Sequence, residues 1–240
     1  MRVEAIAVVI PAHNEEALLP AALEALAAAA RHPALAAVRI RTVVVADSCR
    51  DGTALIAHRA GALVVPVGFR SPGRARATGA EHALAEIAVP HERVWIATTD
   101  ADSVVPPHWL AHHSALARDG WDAVVGTVTV PTATALTARH QLSYEATRPA
   151  DGAHWHHPHI HGANLGLSVS AYRDVGGFPP LDVGEDHALV AALVGRGHRV
   201  LRTSAAPVMT SPRLHGRARG GFADFLAAQA EHTARSEPAS

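Results

Sequence analysis

The chain has 240 residues, 48% hydrophobic and 18% charged, and its 21 basic and 22 acidic side chains leave a formal charge of −1. That composition excludes a disordered chain, and the near-cancelled charge excludes a non-specific nucleic-acid binder, which needs a basic excess. Every basic side chain is Arg, so a phosphate clamp must use Arg, backbone N–H or metal, and the single Cys49 excludes an intrachain disulfide and a multi-cysteine zinc site.

The opening MRVEAIAVVIPAHNEE holds an apolar run too short for a signal peptide. No stretch reaches the ~18–20 apolar residues of a membrane span, so a soluble, cytoplasmic protein is expected. Residues 5–10 form a β-branched apolar run that predicts a strand covered on both faces. A helix is expected over 15–31, stopped by His32-Pro33. Strands over 40–46, 62–67 and 94–99 alternate with helices over 51–60, 73–87 and 107–118. Strand followed by helix, four times over, predicts a parallel α/β sheet.

The second half changes style. Residues 122–130 alternate like an exposed-edge or mixed-sheet strand, and 133–147 suit a helix. A polar, histidine-rich loop covers 151–161. A short strand is expected over 164–169, a helix over 185–194, a strand over 198–202, a Gly-rich basic loop over 213–221 and a terminal helix over 222–235. No internal repeat is found. The expectation is one domain over 1–240, with a first half (1–120), a second half (121–221) that changes role within the same fold, and a C-terminal helix and tail (222–240).

In open α/β sheets ligands bind beyond the carboxyl ends of the strands. Those ends here read Pro11-Ala12-His13-Asn14-Glu15-Glu16, Asp47-Ser48-Cys49-Arg50-Asp51-Gly52-Thr53, Gly68 to Arg74, and Asp100-Ala101-Asp102-Ser103. Each alone suits a turn or a helix cap. Four together, converging on one rim, predict a site. No Gly-x-Gly-x-x-Gly follows the first strand and no P-loop exists, which disfavours a dinucleotide or P-loop site. Asp100 and Asp102 can share a hard divalent cation such as Mg²⁺ or Mn²⁺, or can form an Asx turn. Arg74 and Arg76, near a helix start, suit an anion, or are solvated surface arginines.

The ordered pieces VVIPAHNEE, VVVADSCRDGT, GRARATGA, TTDADS, GANLGLSVSAYRDVGGF and GEDHAL resemble a family-2 glycosyltransferase of the GT-A fold, a Rossmann-like, mostly parallel mixed sheet flanked by helices. The resemblance implies a metal-dependent transferase moving a sugar from a nucleoside-diphosphate donor to an acceptor hydroxyl. It implies Pro11, His13, Asn14, Glu15 and Asp47 at the base and ribose, with Asp47 accepting from a uracil-type N–H and so favouring a UDP-sugar. Asp100, Ala101, Arg74 and Arg217 would also meet the donor. Asp102 would hold Mn²⁺ or Mg²⁺, with His215 as a second candidate ligand. The Glu185-Asp186 pair would be catalytic, with Asp186 the general base of an inverting displacement; as a bare pattern the pair suits a helix cap equally. Glu15 and Glu16 likewise suit a helix macrodipole. His161, Asn164 and Gly177 would line the acceptor side, although Gly176-Gly177 also suits the end of a short helix.

Processive members carry Gln-x-x-Arg-Trp and membrane spans, and this chain has neither, which favours single-sugar transfer. It offers instead a basic, Gly-rich segment in which Arg213 and Arg217 could close over the diphosphate. Two rival classes stand beside this reading. His157, His159 and His161, at period two within 154–161, would share a strand face and could make a zinc-dependent hydrolase, although Pro158 interrupts them and no carboxylate joins them. The other class is a non-catalytic nucleotide-sugar-binding protein. The partners to test are a nucleoside-diphosphate sugar, a hydroxyl-bearing acceptor and a second copy of the chain in a homodimer.

Overall fold

The computed structural model describes residues 1–131, 142, 144–149 and 155–213. They form one eight-stranded mixed sheet in the order β3-β2-β1-β4-β7-β6-β8-β5. The strands are β1 (Ala5–Ala12), β2 (Arg39–Asp47), β3 (Leu63–Val67), β4 (Val94–Thr98), β5 (Ser103–Val104), β6 (Ala123–Thr129), β7 (Leu165–Ser168) and β8 (Val200–Thr210). The first four are parallel, with Ala5 of β1 opposite Arg39 and Val94. β7 runs antiparallel to both β4 and β6, and so joins the two halves of the chain in one sheet.

Helices cover both faces, which is why β1 is apolar throughout. Ile6, Val8 and Ile10 pack with Leu19, Leu23 and Leu26 of α1 (Leu19–Ala30) and Trp109 and Leu110 of α4 (Trp109–Arg118). Ala5, Ala7 and Val9 face α3 (Pro72–Glu86), α5 (Val169–Asp174) and α6 (Glu185–Gly195). α3 lies close on the sheet because Gly79 has no side chain; a Cβ there would stand 2.5 Å from Val9 Cγ1. α2 (Thr53–Arg59) follows β2.

Several expectations are corrected. The first helix starts at Leu19 rather than residue 15, because the backbone amides of Glu15 and Glu16 bond to Thr53 Oγ1 and Asp51 Oδ2 in the next strand-end loop. Of the two readings of residues 122–130 the mixed-sheet one holds and the exposed edge does not: β6 lies between antiparallel β7 and parallel β8, buried over all but its last residue. The strand expected to end at residue 169 stops at Ser168, whose hydroxyl caps a new helix, α5, by accepting from Ala171 N. β8 runs on to Thr210 past Pro207, which lies where the β6–β8 register shifts, a place where a missing N–H is tolerated. The helix expected over 133–147 falls mostly outside the described residues, and the terminal helix over 222–235 wholly so.

Candidate active site

Each of the first three strands exits through one non-glycine residue with positive φ: Asn14 (52°), Ser48 (56°) and Arg70 (51°). Such residues are uncommon and concentrate at functional sites. Asn14 suits the position, since its amide oxygen accepts from Arg50 N at 2.8 Å and its own N–H reaches Cys49 Sγ. His13 Nδ1 lies 2.6 Å from the Asp47 carbonyl and its Nε2 3.3 Å from Asn14 Nδ2, a pattern satisfied by the Nδ1–H tautomer. These contacts stitch the loops after β1 and β2 into one rim, on which Pro11, His13 and Asn14 are half-buried.

Asp47 has a structural task that the sequence does not suggest. It is 4% exposed. Its Oδ1 accepts from the backbone amides of Phe69 and Arg70 at 2.7 and 2.8 Å and from Ser48 Oγ, and its Oδ2 accepts from Ser71 N at 3.0 Å. The carboxylate thus builds the floor of the loop after β3, and Oδ2, with one bond, keeps a further lone pair. Arg74 is exposed and stacks on the Phe69 ring at 4.1 Å. Ala101 points into the core among the α1 and α4 residues, so only its backbone can meet a donor.

The acidic exit of β4 divides in two. Asp102 accepts from Ser211 Oγ at 2.8 Å and pairs with Arg213 Nη2 at 2.9 Å. The same guanidinium donates through Nη1 to both carboxylate oxygens of buried Glu15, at 2.8 and 3.1 Å. Asp102 thus already holds a cation, and the oxygen donors around it, carboxylate and hydroxyl, suit a hard divalent ion. Asp100 turns the other way. It meets Arg76 Nη2 at 2.5 Å. Burial pushes its carboxyl up to about 6 against the pull of Arg76, with Asp102 and Glu185 adding to the rise.

Arg76 is buried, and its other terminal nitrogen, Nη1, pairs with Glu185, itself 5% exposed. Glu185 is therefore tied to an internal cation and is not free to reach a substrate, contrary to its expected catalytic place. Asp186 is half-buried; its Oδ2 accepts from Gly162 N at 2.8 Å and its Oδ1 from His187 N at 2.8 Å. Each oxygen keeps a further lone pair. Asp186 thus bridges the start of α6 to the segment before β7.

Asn164 does not line an acceptor space. It is 2% exposed, its Nδ2 donates to Thr127 and Ala206 carbonyls, and its Oδ1 accepts from Trp109 Nε1 at 2.8 Å. The amide is spent tying β6, β8 and α4 together. Gly177 ends α5: its φ is +77°, its N–H bonds the Tyr172 carbonyl, and a Cβ would stand 2.8 Å from the Tyr172 ring.

The histidine segment forms a ladder. His157, His159 and His161 do share one face, with ring centroids 6.1 and 6.3 Å apart and planes within 16° and 11°. His159 also stacks on Tyr144 at 3.7 Å. Parallel rings do not converge on one ion as a zinc site requires. His157 is fully buried with Nδ1 at the His159 carbonyl and Nε2 at the carbonyls of Val125 and Thr203, so neither nitrogen is offered to a metal. Among the described residues no group of three His, Cys, Asp or Glu is placed to hold a metal ion. Burial pushes the His161 imidazole down to about 4, so it is neutral at pH 7. His154, His215 and Arg217 lie outside the described residues.

The sequence points to Arg76 as an anion ligand or surface charge and to Arg213 as a diphosphate ligand in a loop; the fold makes each the centre of an ion cluster. For Arg76 a signal existed: Gly73, Arg76, Ala80 and Ala83 follow helical spacing on one buried stripe, and a charge on that stripe needs a partner.

The profile described as Glycosyl transferase family 2 matches residues 7–176. No curated protein sequence matches the chain. Among solved structures, a mannosyltransferase from Pyrobaculum calidifontis, in complex with GDP-Man and Mn²⁺, superposes with a TM-score of 0.67 at 21% identity, covering 100% of this chain and 66% of that one. S. aureus TarS 1–349 with UDP gives 0.61 at 16% identity, over 89% and 61%. Glucosyl-3-phosphoglycerate synthase from Mycobacterium tuberculosis, with Mn²⁺, UDP and glucosyl-3-phosphoglycerate, gives 0.58 at 19% identity, over 95% and 76%. The chain thus spans slightly under two thirds of the first of these structures, and the likeness is one of fold. No helix among the described residues is long and apolar enough to cross a membrane.

Proposed function

The chain belongs to glycosyltransferase family 2, and on that footing we propose that it moves one sugar from a nucleoside-diphosphate sugar to an acceptor hydroxyl, with inversion. The observation that carries this reading is the division of the acids at the rim. Asp102 pairs with Arg213 beyond β4, and Asp186 accepts from Gly162 N with lone pairs to spare; we read the first as the donor side and the second as the acceptor side. A displacement at an anomeric carbon needs a charge-stabilised leaving group on one face and a base on the other.

In this mechanism Pro11, His13 and Asn14 frame the nucleoside. Asp186 takes the proton from the acceptor hydroxyl as that oxygen attacks the anomeric carbon. The bond from that carbon to the diphosphate oxygen breaks, and the electron pair leaves with the nucleoside diphosphate. Asp102 would hold Mn²⁺ or Mg²⁺, with His215 as a further ligand, and the ion would stabilise the departing diphosphate. Arg213 must leave Asp102 for this, and is then free to pair with phosphate oxygens. Asp47 gives Oδ1 to its own loop, and Oδ2, with one bond, keeps a lone pair for a uracil-type N–H, so a UDP-sugar stays the favoured donor and a GDP-sugar is tested beside it.

The test is thermal melting against UDP, GDP, dTDP, CMP and ADP, each with Mn²⁺ and with EDTA. A ligand of the native state at a hundred times its dissociation constant stabilises by about 2.7 kcal/mol. A rise with one diphosphate that vanishes in EDTA supports the reading and names the base. No rise with any of them removes the donor site.

A further inference from the structure

We propose that Arg76 is a positioning residue for the transfer: its one guanidinium sets the distance between donor-side Asp100 and the acceptor-side acid pair that begins at Glu185. The proposal rests on the transferase reading above and names what joins the two sides of that site.

The connection is built from distant parts of the chain. Asp100 follows β4, Glu185 opens α6, and Arg76 lies in the second turn of α3 with one terminal nitrogen on each. Two glycines leave room for it. A Cβ at Gly162 would stand 2.5 Å from Arg76 Cζ, and one at Gly73 would stand 2.9 Å from both Glu185 Cβ and the Pro179 carbonyl. Gly162 is also the residue whose N–H holds Asp186, and its carbonyl accepts from Thr98 Oγ1 at 2.6 Å. One residue of backbone therefore touches the guanidinium, the base and the end of β4.

Stability alone does not account for this arrangement. Arg76 Nε is buried and meets no hydrogen-bond partner. A buried ion cluster with an unpaired donor is no more stabilising than apolar side chains of the same volume. What the cluster supplies is a fixed spacing. In-line displacement needs the acceptor oxygen, the anomeric carbon and the leaving oxygen aligned, and a misplacement of about 1 Å costs roughly 100-fold in rate.

The experiment compares wild type with Arg76→Lys, Arg76→Ala and Arg76→Leu. It reads nucleoside-diphosphate release from UDP- and GDP-sugars with Mn²⁺, calorimetric affinity for the Mn²⁺–nucleotide pair, and melting temperature. Lysine keeps the charge but offers one nitrogen where two are used. Arg76→Lys is expected to stay folded and bind Mn²⁺–nucleotide with little change, while kcat falls about 100-fold. Guanidinium at non-denaturing concentration should restore part of the turnover to Arg76→Ala and none to Arg76→Leu, whose side chain fills the space. Wild-type turnover in Arg76→Lys overturns the proposal, as does a loss that follows melting temperature alone with no rescue. Should Arg76→Ala fail to fold, the kcat against affinity of Arg76→Lys decides. A wild-type chain that releases no nucleoside diphosphate overturns the transferase reading itself, whereas an active wild type matched by Arg76→Lys overturns only Arg76.

Discussion

Arg213 and Glu15 stand 198 positions apart and meet through two hydrogen bonds, of 2.8 and 3.1 Å, from one guanidinium nitrogen to both carboxylate oxygens. The other terminal nitrogen of Arg213 reaches Asp102, so a single side chain from the end of β8 spans the exits of β1 and β4. A guanidinium in that place neutralises two acids that would otherwise repel, and competes with any metal that binds there. Arg213→Ala is expected to tighten Mn²⁺ binding in the absence of nucleotide. A partly exposed pair of this kind is worth about 1 kcal/mol, or roughly fivefold in affinity. Calorimetric titration with Mn²⁺ checks it, and an unchanged affinity would show that the pair exerts no hold on the site.

Asp102→Asn preserves shape and an oxygen for the Ser211 hydroxyl, so the fold should persist with a melting temperature within a few degrees of wild type. The metal-dependent gain in stability from nucleotide, about 2.7 kcal/mol at a hundred times the dissociation constant, should disappear. Melting with Mn²⁺ and diphosphate measures it; an undiminished gain would place the metal elsewhere.

Asp186→Asn keeps an acceptor for the Gly162 N–H, and with it the link between α6 and the segment before β7. It removes the basic oxygen. Nucleotide binding should stay as it is, while transfer falls by roughly 100- to 10,000-fold. Steady-state rates beside calorimetric affinity separate the two, and near-normal turnover would return Asp186 to a structural role.

His113 carries a pH dependence unrelated to catalysis. It is 1% exposed, packed edge-on against Trp109 at 4.9 Å, and burial pushes its imidazole down to about 3. The unfolded chain takes up this proton near the ordinary histidine value, and the folded chain does not until far lower pH. Between the two the unfolded state binds more protons, so stability is full above the ordinary value and is lost as pH falls, by up to about 1.4 kcal/mol per pH unit. Phenylalanine keeps the ring and cannot titrate, and Nδ1 has no hydrogen bond to lose. Melting between pH 7 and pH 4 should fall less steeply in His113→Phe than in wild type; parallel profiles would exclude His113 as a source of acid lability.

How much was legible without coordinates differs between fold and site. The four parallel strands were readable because each holds a short apolar, β-branched run closed by turn residues, although only β1 and β4 are buried on both faces along nearly their whole length. β5 and α5 were not. β5 has two residues and exists by pairing with β8, and α5 is a six-residue helix that follows β7 with no loop between them. Residues at the rim were found by position, since strand ends in such sheets carry ligand groups. Their tasks were not found by position. Asn164 and Glu185 carry the right chemistry for a substrate and spend it within the protein.

The sequence by itself determined the α/β class, the strand-helix alternation of the first half and the gathering of acids at one rim. These follow from local periodicity and from turn and capping chemistry, which act over a few residues. Only the tertiary structure decided which acids face outward. That choice turns on where Arg76 and Arg213 reach, through pairs 24 to 198 positions apart. A carboxylate's role depends on the charge beside it, and in this chain the neighbouring charge is brought up by folding.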